Sequence, residues 1–282
     1  RHTRCSVVSG LGDVYKRQST YLAAVTKEME PDSTEDFSID EVNPDLPNVV
    51  FVWNSQNQGP YSNTFIYGHP IDNMVPTLFH PNELMDGCVV SGNYVWPAFK
   101  VPTYLYVNSP ILLELYKEHG KTINFRGVIF GRSHNPSNWH KTRCAQVAVK
   151  IAQYLDADGL VMAWEGGGNA AVDGMLTIQC AEKHGIKAST ITFEFGGVDG
   201  TEGILLVDDV PEADAVISGG SIEKPFTIPD VDRVVGGDVF RLNKESGGFF
   251  PPSNKELRFE QTTHLYIGGN QAGASTLFAE EY

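Results

Sequence analysis

Beyond residue 110 the chain switches regularly between two hydrophobic periods. Ile111, Leu112, Leu115 and Tyr116 recur at helical spacing, and His119-Gly120 supplies a helix stop, so a helix is predicted over 111–119. Phe125–Phe130 reads as a strand. Cys144, Val147, Ala148, Ile151, Ala152 and Leu155 then mark a second helix over 141–155, followed by an apolar strand at Gly159–Trp164. Ala170–His184, closed by Gly185, repeats the helix, and Ala188–Phe195 is another β-branched and aromatic strand. A last apolar run covers Ala213–Ser218, while Val49–Trp53 and Phe65–Tyr67 add short strands upstream. Strands that alternate with helices and are apolar almost throughout belong in a parallel sheet buried on both faces. The predicted fold is a three-layer α/β structure with a mostly parallel sheet, helices on both faces and a C-terminal β-rich extension.

Composition divides the chain further. Residues 19–47 are rich in Glu, Asp, Pro and Ser and are predicted to be a helix remnant and linker. The α/β pattern occupies 110–232, and the Gly- and Phe-rich stretch 233–282 is predicted as strands and turns at the edge of that domain. Asp13 to Gln18 spell Asp-Val-Tyr-Lys-Arg-Gln, the translation of GAT GTG TAT AAG AGA CAG, a transposase adaptor end used in sequencing libraries. Residues 1–18, Cys5 included, are therefore expected to be a non-native leader.

Charge narrows the function. A formal net charge of -14 argues against a nucleic-acid partner, which needs clustered Lys and Arg. No apolar run is long enough to cross a bilayer, so no membrane role is expected. Cys88, Cys144 and Cys180 are far apart, with neither a Cys-x-x-Cys nor a nearby His pair, which is neither a zinc pattern nor a disulfide framework and fits a reducing cytoplasm. His134 and His140 stand at no standard ligand spacing, so no metal site is expected.

Open parallel sheets bind ligands at the carboxyl ends of their strands. Three loops fall there: Gly131 to Asn135, Glu165 to Asn169, and Glu194 to Gly200. In the second, consecutive glycines lead into a helix, so a backbone open to close approach meets a helix N-terminus that favours a carboxylate. The loop lacks the spacing and the Lys of a nucleotide-binding loop. The candidate substrate-binding residues are Glu165, Gly167, Gly168, Asn169, Glu194 and Asp199.

Met85 to Tyr94 reads Met-Asp-Gly-Cys-Val-Val-Ser-Gly-Asn-Tyr. With Thr103-Tyr104, the stretch Glu114 to Phe125, Asp158-Gly159, Glu165-Gly166, Gly168-Asn169, Asp173, Glu194 and Asp199-Gly200, the chain from about Pro47 to Tyr282 resembles the proprotein of the alpha and beta subunits of glycine, sarcosine and betaine reductase component B. That family is related to the D-proline reductase proprotein, and in it an additional N-terminal region precedes this part. The resemblance implies a proprotein that cuts itself between an asparagine and a cysteine, leaving a pyruvoyl group that forms a Schiff base with the substrate amine. A selenocysteine on a partner subunit then attacks, within a hetero-oligomer. It also places the processing motif in the segment 48–109, with the cleavage position at Asn93 and Tyr94.

The family's cysteine is here Tyr94. Self-cleavage needs a nucleophile on the β-carbon that closes a five-membered ring and is then eliminated; a phenolic oxygen can do neither. The chain is expected to stay whole and to carry no pyruvoyl cofactor, with Cys88 as the alternative processing site. Two readings follow: a subunit that binds a small amino acid or N-methylated amino acid for reductive cleavage with a selenoprotein partner, or an uncleaved non-catalytic paralogue acting as an interaction or small-molecule-binding subunit.

Overall fold

The computed structural model describes residues 20–21, 24–25, 27, 29, 35–56, 64–91, 101, 103–194, 209–221, 226–230, 232, 240–241, 249–250 and 255–259. Asn93, Tyr94 and Asp199 lie outside them. The chain divides into two compact units, Arg1–Phe37 and Ser38–Tyr282, and the elements below belong to the second.

The first strand, β1 (Asn48–Ser55), alternates strictly: Val50 and Val52 face one side, Phe51 and Trp53 the other, and all four are at most 1% exposed. A strand buried on both faces sits inside a sheet, and β1 is paired in parallel on either side, with β6 (Asn124–Arg132) and β7 (Gly159–Trp164). Beyond β7 the parallel run continues through β8 (Lys187–Glu194) and β9 (Val216–Ser221). On the other flank the short β4 (Thr77–Phe79) closes the sheet antiparallel to β6, giving the order β4-β6-β1-β7-β8-β9. The stretch 48–109 thus contributes β1 and β4 to the same sheet as the α/β repeat.

Between β1 and β4, β2 (Thr64–Ile66) and β3 (His69–Pro70) form a small antiparallel sheet with β5 (Val89–Ser91). Helix α1 (Pro81–Met85) precedes β5 and is capped reciprocally: His80 Nδ1 accepts from Asn82 N, and Glu83 accepts from His80 N at 2.7 Å. β10 (Phe226–Ile228), ahead of the predicted C-terminal β extension, pairs with β13 (Leu257–Phe259) within it, and β11 (Phe240–Arg241) pairs with β12 (Phe249–Phe250).

Helices cover both faces of the large sheet, as the periodicity predicts. Helix α4 (Asn138–Tyr154) and helix α5 (Asn169–Lys183) pack Ala148, Val149, Ala152, Ala170, Ala171, Met175, Ile178 and Ala181 on Val50, Val52, Ile129, Leu160, Met162 and Trp164. On the opposite face lie α2 (Thr103–Val107) and α3 (Pro110–Glu118), where the Tyr106 ring is 4.8 Å from Trp53 and Tyr116 meets Phe125 edge-on. Gly174, inside α5, is required by this packing: a Cβ there would come within 2.7 Å of the buried Trp164 ring. Among the described residues no helix is long and apolar enough to cross a membrane.

The connections after β1 and β7 leave in opposite directions, the first to β6 and the second to β8. The carboxyl ends of β1 and β7 therefore flank the point where the winding reverses, the place where open α/β sheets leave a crevice.

Candidate functional site

Three strand ends meet at that crevice and are tied by short-range bonds. Ser133, after β6, donates its backbone N–H to Ser55 O at 2.9 Å, and Glu165, after β7, donates to Asn54 O at 2.8 Å. Ser133 Oγ completes the link by donating to Glu165 O at 3.0 Å. The first two loops singled out in the sequence are thus brought together. The third begins at Glu194, whose backbone ends β8 opposite Ser221 one strand further along the same edge.

Glu165 is 0% exposed, and its carboxylate is turned into the protein. Among the described residues, four donors meet it. Oε2 accepts from Ser55 Oγ at 3.0 Å and Gln56 N at 2.7 Å, and Oε1 accepts from Val101 N at 2.8 Å and Tyr106 OH at 2.6 Å. Burial, and then the neighbouring Glu165 charge, push the Tyr106 phenol well above its usual range, so it keeps the proton it donates. The group read as a ligand contact is therefore a tie between the end of β1, the end of β7 and the chain leading into α2.

The glycines beyond Glu165 shape the entrance. Gly166 has φ +88, and a Cβ at this position would lie 2.5 Å from Gln56 Oε1 and 3.0 Å from His134 Nε2, so glycine is needed for both conformation and close approach. Gly168, also at positive φ, caps the 15-residue α5 without any side-chain hydrogen bond of its own. Gly167 and Gly168 are half-buried and Asn169 is exposed, so this stretch forms the accessible edge of the site.

Behind it lies a buried ion pair that the sequence reading did not single out. Lys141 Nζ of α4 donates to Asp173 Oδ2 of α5 at 2.6 Å and to Asn169 O at 3.0 Å, with side chains only 7% and 3% exposed. Asn135 Nδ2 donates to Asp173 Oδ1 at 2.9 Å and to Arg132 O, which anchors the loop after β6 to α5. Burial pushes the Asp173 carboxyl up, against the pull of Lys141 and Asn135. A signal existed: Lys141 stands at helical spacing from the buried Ala145, Ala148 and Ala152, and a charge on an apolar stripe needs a buried partner.

His134 lies between these groups. Its φ of 58 is uncommon for a residue with a side chain, and Asn169 Nδ2 approaches its Nδ1 at 3.4 Å. Burial, reinforced by Lys141 and Arg132, pulls its imidazole down from 6.5 to about 4. A histidine held neutral when folded gains a proton on unfolding between those two values, so it favours the folded state above about pH 6.5, and that contribution fades as the pH falls towards 4. The urea midpoint should therefore drop between pH 7 and pH 5. It should drop less in H134N, since asparagine tolerates the left-handed backbone; equal slopes would rule out this linkage.

Cys88 is buried beside α1, and burial, with Glu83 and Asp86, pushes its thiol up to about 12, so it is protonated at neutral pH. His140 Nδ1 lies 2.7 Å from Ser137 Oγ in the cap of α4, apart from His134. Among the described residues no cluster of three or more His, Cys, Asp or Glu could hold a metal ion.

A family model for glycine/sarcosine/betaine reductase component B subunits matches residues 12–280. The glycine reductase complex component B subunits alpha and beta of Acetoanaerobium sticklandii are 34% identical over 243 residues, 85% of this chain and 56% of the relative. The sarcosine reductase complex component B subunit alpha of Peptoclostridium acidaminophilum is 35% identical over 240 residues, 85% of this chain and 55% of the relative. The betaine reductase complex component B subunit alpha of the same organism is 36% identical over 225 residues, 77% and 50% of the two chains. The chain thus spans about half the length of these curated relatives. No solved structure matches it. With that family model matching most of its length and relatives 34%, 35% and 36% identical to it, the chain belongs to the glycine/sarcosine/betaine reductase component B subunit family.

Proposed function

We propose that this chain is a component B-like subunit that binds a small amino acid or N-methylated amino acid at the reversal point of its sheet. The observation that carries the reading is the glycine-capped start of α5, which makes no side-chain cap hydrogen bond and begins at the partly accessible Gly167, Gly168 and Asn169. A helix N-terminus favours the substrate carboxylate. Glu165 positions that turn from inside, and Glu194 and Asp199 are kept as further candidate substrate-binding residues. In this reading the chain works in a cytoplasmic hetero-oligomer, with a selenoprotein subunit as the reductive partner.

The pyruvoyl group of the family does not fit these residues. Tyr94 offers no β-carbon nucleophile to close a five-membered ring, and the alternative thiol of Cys88 is buried and protonated. The chain is assigned as uncleaved, which favours a subunit that binds its ligand without forming a Schiff base, or an interaction subunit derived from one.

Calorimetric titration tests the binding reading. Glycine should bind where ethanolamine does not, and betaine where choline does not, because each pair differs by the carboxylate; equal heats within both pairs would sink it. Intact mass after treatment with a carbonyl-trapping hydrazine tests the processing reading. One unmodified chain is expected, whereas two chains with an adduct on the second would show that cleavage occurs despite Tyr94.

A further inference from the structure

The solvent face of α4 departs from the rest of the chain in charge. The sequence carries 35 Asp and Glu against 21 Lys and Arg, yet none of the 17 residues of α4 is acidic. One side of the helix is buried through Lys141, Ala145, Ala148, Val149 and Ala152. On the other side Trp139, Arg143, Lys150 and Tyr154 recur at helical spacing, which at 3.6 residues per turn gathers them within an arc of about 60°. All four are exposed, Trp139 at 69% and Tyr154 at 76%. Lys150 lies over the Tyr154 ring at 5.7 Å, and neither Arg143 nor Lys150 forms an ion pair among the described residues.

A single exposed ring is ordinary on a protein surface, and a solvated helix face usually interleaves both signs of charge. Two rings in one stripe with two unpaired cations between them have instead the composition of an interface centre, where Trp, Tyr and Arg are enriched. The order along the helix states what fits: apolar groups against the two ends and carboxylates against the middle, over a length of about 22 Å. Pairing the stripe with its own copy would set cation against cation. A nucleic acid would meet the same two cations, but the net charge of -14 on the whole chain opposes its approach. The stripe also starts at the edge of the sheet that carries the crevice, since Trp139 shares the first turn of α4 with Lys141, which holds Asn169 O.

We infer that the stripe from Trp139 to Tyr154 is the docking surface for a second, different subunit, one that presents an acidic face flanked by apolar groups. The inference rests on the hetero-oligomer reading above and names the surface it uses; it is independent of which ligand the crevice takes.

The test titrates the full chain by calorimetry with two helical peptides that share a leucine face and carry either glutamate or lysine on the other, and with a thymidine oligonucleotide. The glutamate peptide should bind, more weakly as salt is raised, and the other two probes should not. W139A and Y154A should each weaken that binding about 10-fold or more. R143E/K150E should lose the glutamate peptide and take the lysine peptide in its place. These side chains are exposed, so the variants should keep the parent's urea midpoint. Binding of the glutamate peptide that survives R143E/K150E overturns the stripe as the docking surface while the hetero-oligomer reading stands. If neither peptide binds the parent chain, the stripe fails and takes the hetero-oligomer reading with it. Binding of the oligonucleotide alone, or self-association that W139A abolishes, overturns the inference in favour of a nucleic acid or a second copy.

Discussion

Replacing Glu165 by Gln should destabilise the protein by roughly 3–5 kcal/mol, although the two side chains are nearly the same size. The reason is directional. Each carboxylate oxygen faces one backbone N–H, Gln56 on one side and Val101 on the other, and neither can rotate away. Either orientation of an amide places its NH2 group against one of these donors, so a buried N–H loses its acceptor and the charge that strengthened the other bonds is gone. Y106F should cost about 1–2 kcal/mol, because Val101 N still reaches Oε1. Urea unfolding measures both, and an E165Q midpoint equal to that of the parent would show that the four-donor tie is not formed in solution. The same geometry governs ligand measurements: weaker binding in E165Q would report a disordered crevice, so the comparison belongs on the folded fraction.

K141A should be destabilising to a similar extent, about 3–5 kcal/mol, through a different mechanism. Removing the ammonium leaves the Asp173 carboxylate buried with Asn135 as its remaining side-chain donor and frees Asn169 O at the start of α5. Replacing both partners by apolar residues removes the stranded charge. K141M/D173L should therefore be less destabilised than the two single changes predict together, with a coupling energy of about 1–3 kcal/mol. Additive effects in the double-mutant cycle would mean that the pair does not form. K141A should also loosen the first turn of α5, which faster amide exchange from Asn169 to Asp173 would reveal.

The elements legible in the sequence were those with a repeating period. The strand predicted at Gly159–Trp164 has those bounds in the structure, and the helices predicted over 111–119, 141–155 and 170–184 are found at Pro110–Glu118, Asn138–Tyr154 and Asn169–Lys183. Short elements lack that signal. Thr103–Val107 is too brief to show a helical period, and Thr77–Phe79 is an edge strand whose pairing with β6 is a long-range contact. The helix Pro81–Met85 is opened by a histidine cap in place of the usual Ser, Thr, Asp or Asn.

The site divides in the same way. The residues after Phe130 and Trp164 could be assigned to one edge from the order of elements alone, because parallel strands end on the same side, and the Gly166–Gly168 run pointed to a close backbone approach. The direction of the Glu165 side chain could not be read, since its donors Ser55, Val101 and Tyr106 lie 110, 64 and 59 residues away in the chain. That residue 94 is a tyrosine, with no nucleophile on its β-carbon, is a covalent fact that the sequence alone establishes. Local periodicity and residue chemistry determined the layers and the strand edge. Only the tertiary structure decided that Glu165 faces inward, that Lys141 meets Asp173 and that Asn135 ties the loop after β6 to Asp173, because each depends on which distant groups folding brings within hydrogen-bond reach.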